Sequence, residues 1–307
     1  MAQVRGQAKT AKDSGHQGLC RQNNGGKVKH KPAQQCIVVS DLHCGSTLGL
    51  CPPEGHTLDD GGCYKPSVLQ KNIWGIWEEF WGEWVPRVTK KEPWDLVVNG
   101  DAIDGDHHRT PTIISTNLHD QFRAAKQCLA PVVKMCKDSG GKYHHVRGTE
   151  AHVGQSAQEE ERLAEALGAE QDEGGSYSQW ELWKRVGGSL VHLTHHVGTT
   201  GSQAYESTAL MKELVEAFVE AGRWGDEPPQ IVVRSHRHRC MSITIPTDRG
   251  YGIVAVTPAF QGKTPYTFKI PGARVGQPQM GGLIIRAGDE EVHARFFVRR
   301  ISRPKEV

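Results

Sequence analysis

Five short apolar runs in this chain each lead into side chains able to hold a metal ion. That repetition limits the fold more than any other feature. "CIVVS" runs into Asp41 and His43, "WDLVVNGD" ends at Asp101, and "GKYHHVRGTE" ends at Glu150 or a neighbour; "GSLVHLTHH" delivers His195, and "PQIVVRSHRH" delivers His236 and His238. Short runs rich in Val and Ile, bounded by Gly, Ser and Asp, read as buried strands. A single strand ending in His or Asp means little, because lone surface His and Asp are usually just solvated. Five such endings point to one crevice beyond the carboxyl ends of the strands, where α/β sheets assemble their sites. The strand period of two places Asp41 with His43, and His236 with His238, on one side of the chain. Imidazole combined with carboxylate suits Zn, Mn, Fe or Ni better than Ca or Mg.

Helical patterns lie between the runs. "KNIWGIWEEFWGEWVP" places Trp74, Trp77, Trp81 and Trp84 on one stripe, which reads as a helix packed on a sheet. "DQFRAAKQCLAPVVKMC" is helical, with a kink or break expected at Pro131. "SAQEEERLAEALGA" is a helix with Ser156 as its N-cap, and "QAYESTALMKELVEAFVEAG" is an amphipathic helix closed by Gly222. After residue 240, "MSITI", "YGIVAV", "GGLIIR" and "EVHARFFVRR" read as consecutive strands. An early part that alternates strand and helix, followed by a strand-rich part, predicts a mixed sheet or two packed sheets with helices outside.

The 307 residues can bury the core of one large α/β domain or two smaller ones. No apolar run approaches the roughly 20 residues of a membrane helix, and the N-terminus lacks the apolar core of a secretory leader. The interior of the cell is the expected location. Eight cysteines without any Cys-x-x-Cys read as reduced thiols. Cys44, Cys51 and Cys63 share a Gly/Pro-rich loop with His56, but their spacing matches no standard zinc pattern. The overall charge of +2 hides an asymmetry, since residues 1–34 carry +6 and the remainder −4. Residues 1–34 therefore read as a disordered basic tail and 35–307 as the domain. Loose contact with nucleic acid is one use for such a tail, and a solvated leader is the plainer one.

"DLH", "GDAID", "GTEAH", "LTHH" and "SHRH", in that order, resemble the five blocks of the calcineurin-like metallophosphoesterases over about residues 36 to 240. "GTEAHVG" and "GDAIDGDHH" are also similar to the versions in a phage-type branch of that superfamily. The resemblance implies a four-layer α/β-β/α sandwich, with two mixed sheets flanked by helices, and two divalent metals. Mn²⁺ comes first, with Zn²⁺, Fe²⁺ or Ni²⁺ as alternatives. By motif position Asp41, His43 and His238 would hold one metal, His195 and His236 the other, and Asp101 would bridge them. Asn99 and Asp104 are expected to orient these ligands from behind. Where the family has Asn followed by His, this chain reads Thr149, Glu150, Ala151, His152. That departure leaves Thr149, Glu150 and His152 as candidates for the missing ligand. Because a neutral hydroxyl binds metal poorly, Glu150 is the expected ligand and His152 the proton donor. His107, His108 and Arg109 are either contacts to substrate phosphate or plain loop residues.

The function implied is hydrolysis of phosphate esters by a hydroxide bridging two metals. With Glu150 among the ligands the core would be neutral, which favours monoanionic diesters over dianionic monoesters. A phosphomonoesterase or protein phosphatase on the same site is the nearest alternative. "IDGDHH" stands mildly against it, since protein phosphatases usually continue Asp-Arg-Gly there. A non-catalytic, metal-containing scaffold that binds nucleic acid is another. "TPAFQGKT" ends like a phosphate loop but has Thr257 where such a loop needs Gly, and no helical pattern follows it. The expected partners are a phosphate ester and, through the tail and the basic end (Arg295, Arg299, Arg300, Arg303, Lys305), nucleic acid. No membrane partner is expected, and the location is the cytoplasm, a host's cytoplasm if the chain is phage-encoded.

Overall fold

Gln35–Val39 (β1) is buried at every position, as a strand covered on both faces must be. The computed structural model describes residues 33–107, 110–198, 202–270, 273–288 and 291–302. After β1 come β2 (His56–Thr57), β3 (Cys63–Tyr64), α1 (Val68–Glu79), α2 (Val85–Thr89), β4 (Asp95–Asn99), α3 (Leu118–Asp138) and β5 (Tyr143–Val146). Next are α4 (Glu150–Val153), α5 (Gln158–Leu167), β6 (Ser178–Gln179), β7 (Leu182–Val186), β8 (Ser189–Leu193), α6 (Glu206–Trp224) and β9 (Ile231–Arg234). The chain ends in β10 (Met241–Thr247), β11 (Gly250–Val256), β12 (Gln279–Ala287) and β13 (Val292–Arg300).

Two mixed sheets result. One has the order β13-β12-β1-β4-β5-β6, with β1, β4, β5 and β6 parallel and β12 antiparallel to its neighbours. The other has the order β10-β11-β9-β8-β7, parallel through β11, β9 and β8. Alternation along the strands sorts side chains into layers. Val38, Val97 and Val146 meet Val191, Val233 and Ala255 between the sheets. The opposite faces carry Ile37, Leu96 and Val98 under α1, α3 and α5, and Val232 and Val254 under α6. Helix, sheet, sheet, helix is the four-layer sandwich expected. Each fully buried Val, Leu or Ile stabilises it by about 1.5–3 kcal/mol.

The tryptophan stripe is core. Trp77, Trp81 and Trp84 are buried, Trp74 packs at the edge, and a π-helical turn at Phe80–Trp84 stacks Phe80 on Trp84 with ring centres 5.2 Å apart. Two local expectations are corrected, and of the kink or break expected at Pro131 the break does not occur. Pro131 does not end α3, which continues to Asp138, because the proline lies on the exposed side where the carbonyl it leaves unpaired meets water. Ser156 caps nothing. It has a left-handed backbone (φ 57°) in the turn before α5, whose N-cap position is Ala157. Helix α6 runs past Gly222 and closes on left-handed Gly225.

The tail expected over 1–34 lies, through residue 32, outside the described residues. Ala33 and Gln34 already belong to the domain edge, accepting hydrogen bonds from the amides of Gly187 (2.8 Å) and Ala287 (2.9 Å). Among the described residues no helix is long and apolar enough to cross a membrane.

Candidate metal centre

The parallel strands of both sheets stop at one edge of the sandwich. Val39 is level with Val98 and Asn99 with Val146, while in the second sheet Leu193 is level with Val233 and Arg234 with Val256. Just past these ends the backbone turns left-handed at Asp41 (φ 53°), His43 (46°), Asp101 (54°), His236 (69°) and His238 (54°). Two glycines make room. A Cβ on Gly100 would lie 2.4 Å from His195 Nδ1, and one on Gly148 would lie 2.2 Å from Asp101 Oδ1.

Three groups of donors form here among the described residues, the third being His43 with Asp104 and His152. Asp41, His43 and His238 converge, as do Asp101, His195 and His236, with the ligand atoms of each group within 4.8 Å of one another. In the first, the Nε2 atoms of His43 and His238 are 3.1 Å apart, and Asp41 Oδ1 is 3.2 Å from His238 Nε2. In the second, His195 Nε2 is 3.0 Å from Asp101 Oδ2. Asp41 Oδ1 and His195 Nε2 link the first two groups at 3.8 Å, and both are buried with only these close contacts inside the groups and no hydrogen bond of good geometry. Buried polar atoms left unpaired are costly. Convergent lone-pair donors, one a carboxylate and one an imidazole, are what a metal site presents, so the residues fit divalent ions.

The atoms behind the ligands fix their orientation. Asp104 Oδ1 lies 3.0 Å from His43 Nδ1, which leaves Nε2 for the centre. The carbonyl of Asn99 does the same for His195, 2.7 Å from its Nδ1. Asn99 thus acts through its backbone, while its amide group donates to Ser235 Oγ (2.6 Å) and the Thr194 carbonyl (3.0 Å). Burial opposes charge on His195, but Asp101 and Asp41 outweigh it and carry its pKa up to about 10. Burial likewise opposes ionisation of the two aspartates, yet His238 and His195 beside Asp41, and His195 beside Asp101, hold both well below the usual carboxylate range.

The GTEAH segment is rearranged relative to expectation. Glu150 is exposed at the start of α4 and belongs to none of the donor groups. The helix begins there and carries its side chain toward solvent. Thr149 takes the inward place. Its amide donates to Asp101 Oδ1 (2.7 Å), and its hydroxyl lies 3.2 Å from Asp101 Oδ2, 3.2 Å from His236 Nδ1 and 3.3 Å from His196 Nε2. His152 reaches the other side of the centre, with Nδ1 2.7 Å from the Asp104 carbonyl and its ring 4.7 Å from that of His43. Burial lowers its pKa to about 4. His107 is near, its ring 4.3 Å from that of His152, whereas His108 and Arg109 lie outside the described residues.

Several contributors are not singled out by the sequence. Ser40 donates to Asp41 Oδ2 (2.5 Å) and contacts Thr257 Oγ1 (2.6 Å), which contacts Ser235 Oγ (2.8 Å), so hydroxyls join the two sheets beneath the centre. Gln261 donates to Asp104 Oδ1 (3.1 Å). The repeated Ser directly before Asp41 and before His236 was a legible signal; Gln261 had none. The cysteine loop gathers no metal group among the described residues. Cys44 and Cys51 are buried and Cys63 is exposed.

No family model matches the chain, and no curated protein matches it significantly. Solved structures similar to it include a Thermotoga maritima protein determined by NMR (11% identity, 88% of this chain and 100% of that one, TM-score 0.33). Vacuolar protein sorting 29 from Cryptosporidium parvum aligns at 10% identity over 87% of this chain and 98% of its own (TM-score 0.31). A metallophosphoesterase from Sphaerobacter thermophilus aligns at 11% over 87% and 88% (TM-score 0.33). At such scores these neighbours say nothing of activity here, and the chemistry is read from the chain's own atoms. The chain has the two-sheet sandwich expected of a calcineurin-like metallophosphoesterase, with its metal-capable side chains gathered at one edge.

Proposed function

We propose that this chain is a metal-dependent phosphoesterase of the cytoplasm, working with two divalent cations, and that phosphodiesters are its preferred substrates. The observation that carries this is the convergence of buried ligand atoms, with Asp41 Oδ1 and His195 Nε2 lying 3.8 Å apart where two donor groups meet. Asp41, His43 and His238 would hold one ion, His195 and His236 the other, with Asp101 shared. The mixed imidazole and carboxylate set favours Mn²⁺, with Zn²⁺, Fe²⁺ and Ni²⁺ as competitors. Two such cations acidify a water and neutralise phosphoryl oxygens.

The protein's own part is placement and proton handling. Asp104 and the Asn99 carbonyl keep His43 and His195 in the tautomer that presents Nε2. Thr149 holds Asp101 by amide and hydroxyl. His152 has Nδ1 tied to the Asp104 carbonyl, which leaves Nε2 to exchange a proton with the leaving oxygen. A phosphoryl anion beside it would raise its pKa from the low resting value. With Glu150 outside the donor groups, the centre is one charge more positive than a Glu150-containing set, so its charge no longer disfavours monoesters. The diester assignment rests instead on what borders the site, described below.

The test is to strip the metals, add back Mn²⁺, and time hydrolysis of a bis-aryl phosphodiester and an aryl phosphomonoester. Turnover should depend on Mn²⁺ and fall at least about 100-fold in Asp101→Asn, which removes a charge from the centre. Metal binding without turnover of either ester would favour the scaffold alternative.

A further inference from the structure

Residues 249–288 contain no Asp or Glu, yet carry Arg249, Lys263, Lys269, Arg274 and Arg286. The middle of this stretch borders the metal centre. After β11 the chain is fastened to the site by Thr257 against Ser40, by the Phe260 amide on the Asp41 carbonyl (2.9 Å), and by Gln261 on Asp104. It departs at Gly262 and returns at Gln279. There the side-chain oxygen of Gln279 accepts the amide of Cys240 (2.6 Å), two residues past His238, and Met280 bridges Ala259. Departure and return both lie at the rim of the centre.

What the segment displays there is unusual. Tyr266 is 68% exposed and Phe268 53% exposed, so neither ring serves a core. The Lys263 ammonium sits 4.9 Å from the centre of the Phe268 ring and donates to the Arg274 carbonyl (2.6 Å), joining the outgoing and returning arms. Lys269 and Arg274 carry no ion pair among the described residues, and Glu206, on α6, is taken by Arg239 (3.1 Å). Cations without neighbouring acids attract polyanions. Exposed rings interleaved with such cations stack successive bases while the charges track the phosphates, a combination suited to single strands because a duplex hides its base faces.

We propose that residues 262–270, together with Arg274, form a substrate rim for single-stranded nucleic acid, with bases stacked on Tyr266 and Phe268 and phosphates held by Lys269 and Arg274. This deepens the phosphoesterase reading and rests on it, because it names the polymer whose diester bond would be presented to the metals. The earlier resemblance of "TPAFQGKT" to a phosphate loop thus has another explanation. Its first half anchors the segment to the site, and Lys263 begins the rim.

The test separates rim from centre. Binding of a labelled oligothymidylate of about 12 nucleotides, within the usual span of such sites, is followed by fluorescence anisotropy in an Asp101→Asn background. Turnover of the bis-aryl phosphodiester is followed with Asp101 intact. Tyr266→Ala/Phe268→Ala should weaken oligonucleotide binding tenfold or more and leave bis-aryl turnover within about twofold, given the strength of base–aromatic stacking. Lys269→Ala/Arg274→Ala should lower the slope of log affinity against log salt by roughly 1.4, from about 0.7 per lost phosphate contact. Oligonucleotide affinity indifferent to both double variants would overturn the rim, as would a duplex or a phosphopeptide binding as tightly as the single strand, while turnover of the small ester kept the phosphoesterase reading intact. Variant-sensitive oligonucleotide binding without any ester turnover would do the reverse.

Discussion

Asp41, His43, Asp101, His236 and His238 supply five of the nine non-glycine residues with a left-handed backbone among the described residues. Such a backbone costs a non-glycine residue about 1–2 kcal/mol, so the site holds on the order of 5–10 kcal/mol of strain. Types and spacing of these residues are legible in the sequence; their division between two ions comes only from the resemblance, with Asp101 as the bridge. The partner of Asp101 is not legible. Counting along GTEAH cannot say that α4 starts at Glu150, and it is this start that turns Glu150 outward and leaves Thr149 facing Asp101 and His236. Glu150→Gln should therefore leave Mn²⁺ affinity and the diester-to-monoester ratio unchanged. Thr149→Val, which removes the hydroxyl that supports Asp101, should weaken Mn²⁺ binding about 10- to 100-fold, the usual effect of losing a group behind a ligand. Calorimetric titration of both variants checks this; an emptied site in Glu150→Gln would reverse the assignment.

Helix α5 reaches the centre without contributing a ligand. Its Glu160, fully buried, accepts the amides of Ala102 (3.0 Å) and Gly148 (2.5 Å), which directly follow Asp101 and directly precede Thr149. His145, on β5, stands 3.5 Å behind the same carboxylate and is itself 2.5 Å from the Tyr143 hydroxyl. One side chain thus sets the spacing of two turns that come from different strands. Glu160→Ala would leave two buried amides without an acceptor at roughly 1–3 kcal/mol each. A loss of about 2–6 kcal/mol in urea unfolding is expected, and a loss below about 1 kcal/mol would remove Glu160 from this role. In the sequence Glu160 is one of three consecutive glutamates, and helical periodicity alone does not choose among them. Long elements were easier to read. The four late strands and the tryptophan helix lie where their patterns put them, because apolar runs of that length have few other ways to be buried. The hairpin partner β7 has a weaker pattern, although Gly187-Gly188 between "LWKRV" and "SLVHL" is a two-residue turn of the kind that joins antiparallel strands. Its alternation is blurred by Trp183, which is exposed and stacks on His192 with ring centres 4.3 Å apart.

At the scale of the molecule, the sandwich gives the two donor groups proposed as ion sites their geometry. The first sheet contributes Asp41, His43 and Asp101, the second His195, His236 and His238, so each of these two draws on both sheets. The apolar layer between the sheets sets their separation, and the chain of Ser40, Thr257, Ser235 and Asn99 keeps them in register at the site edge. Any ion bound there would join the sheets. Architecture of this kind follows from the order of the strand endings, which is why the resemblance could anticipate it, whereas the exposed rim at 262–270 follows no periodic pattern. The most direct measurement is anomalous scattering from crystals of the protein grown with Mn²⁺. Two peaks are predicted, one among Asp41, His43 and His238 and one among Asp101, His195 and His236. A lattice that diffracts with no peak at either group, or with an ion held by Glu150, would contradict the account.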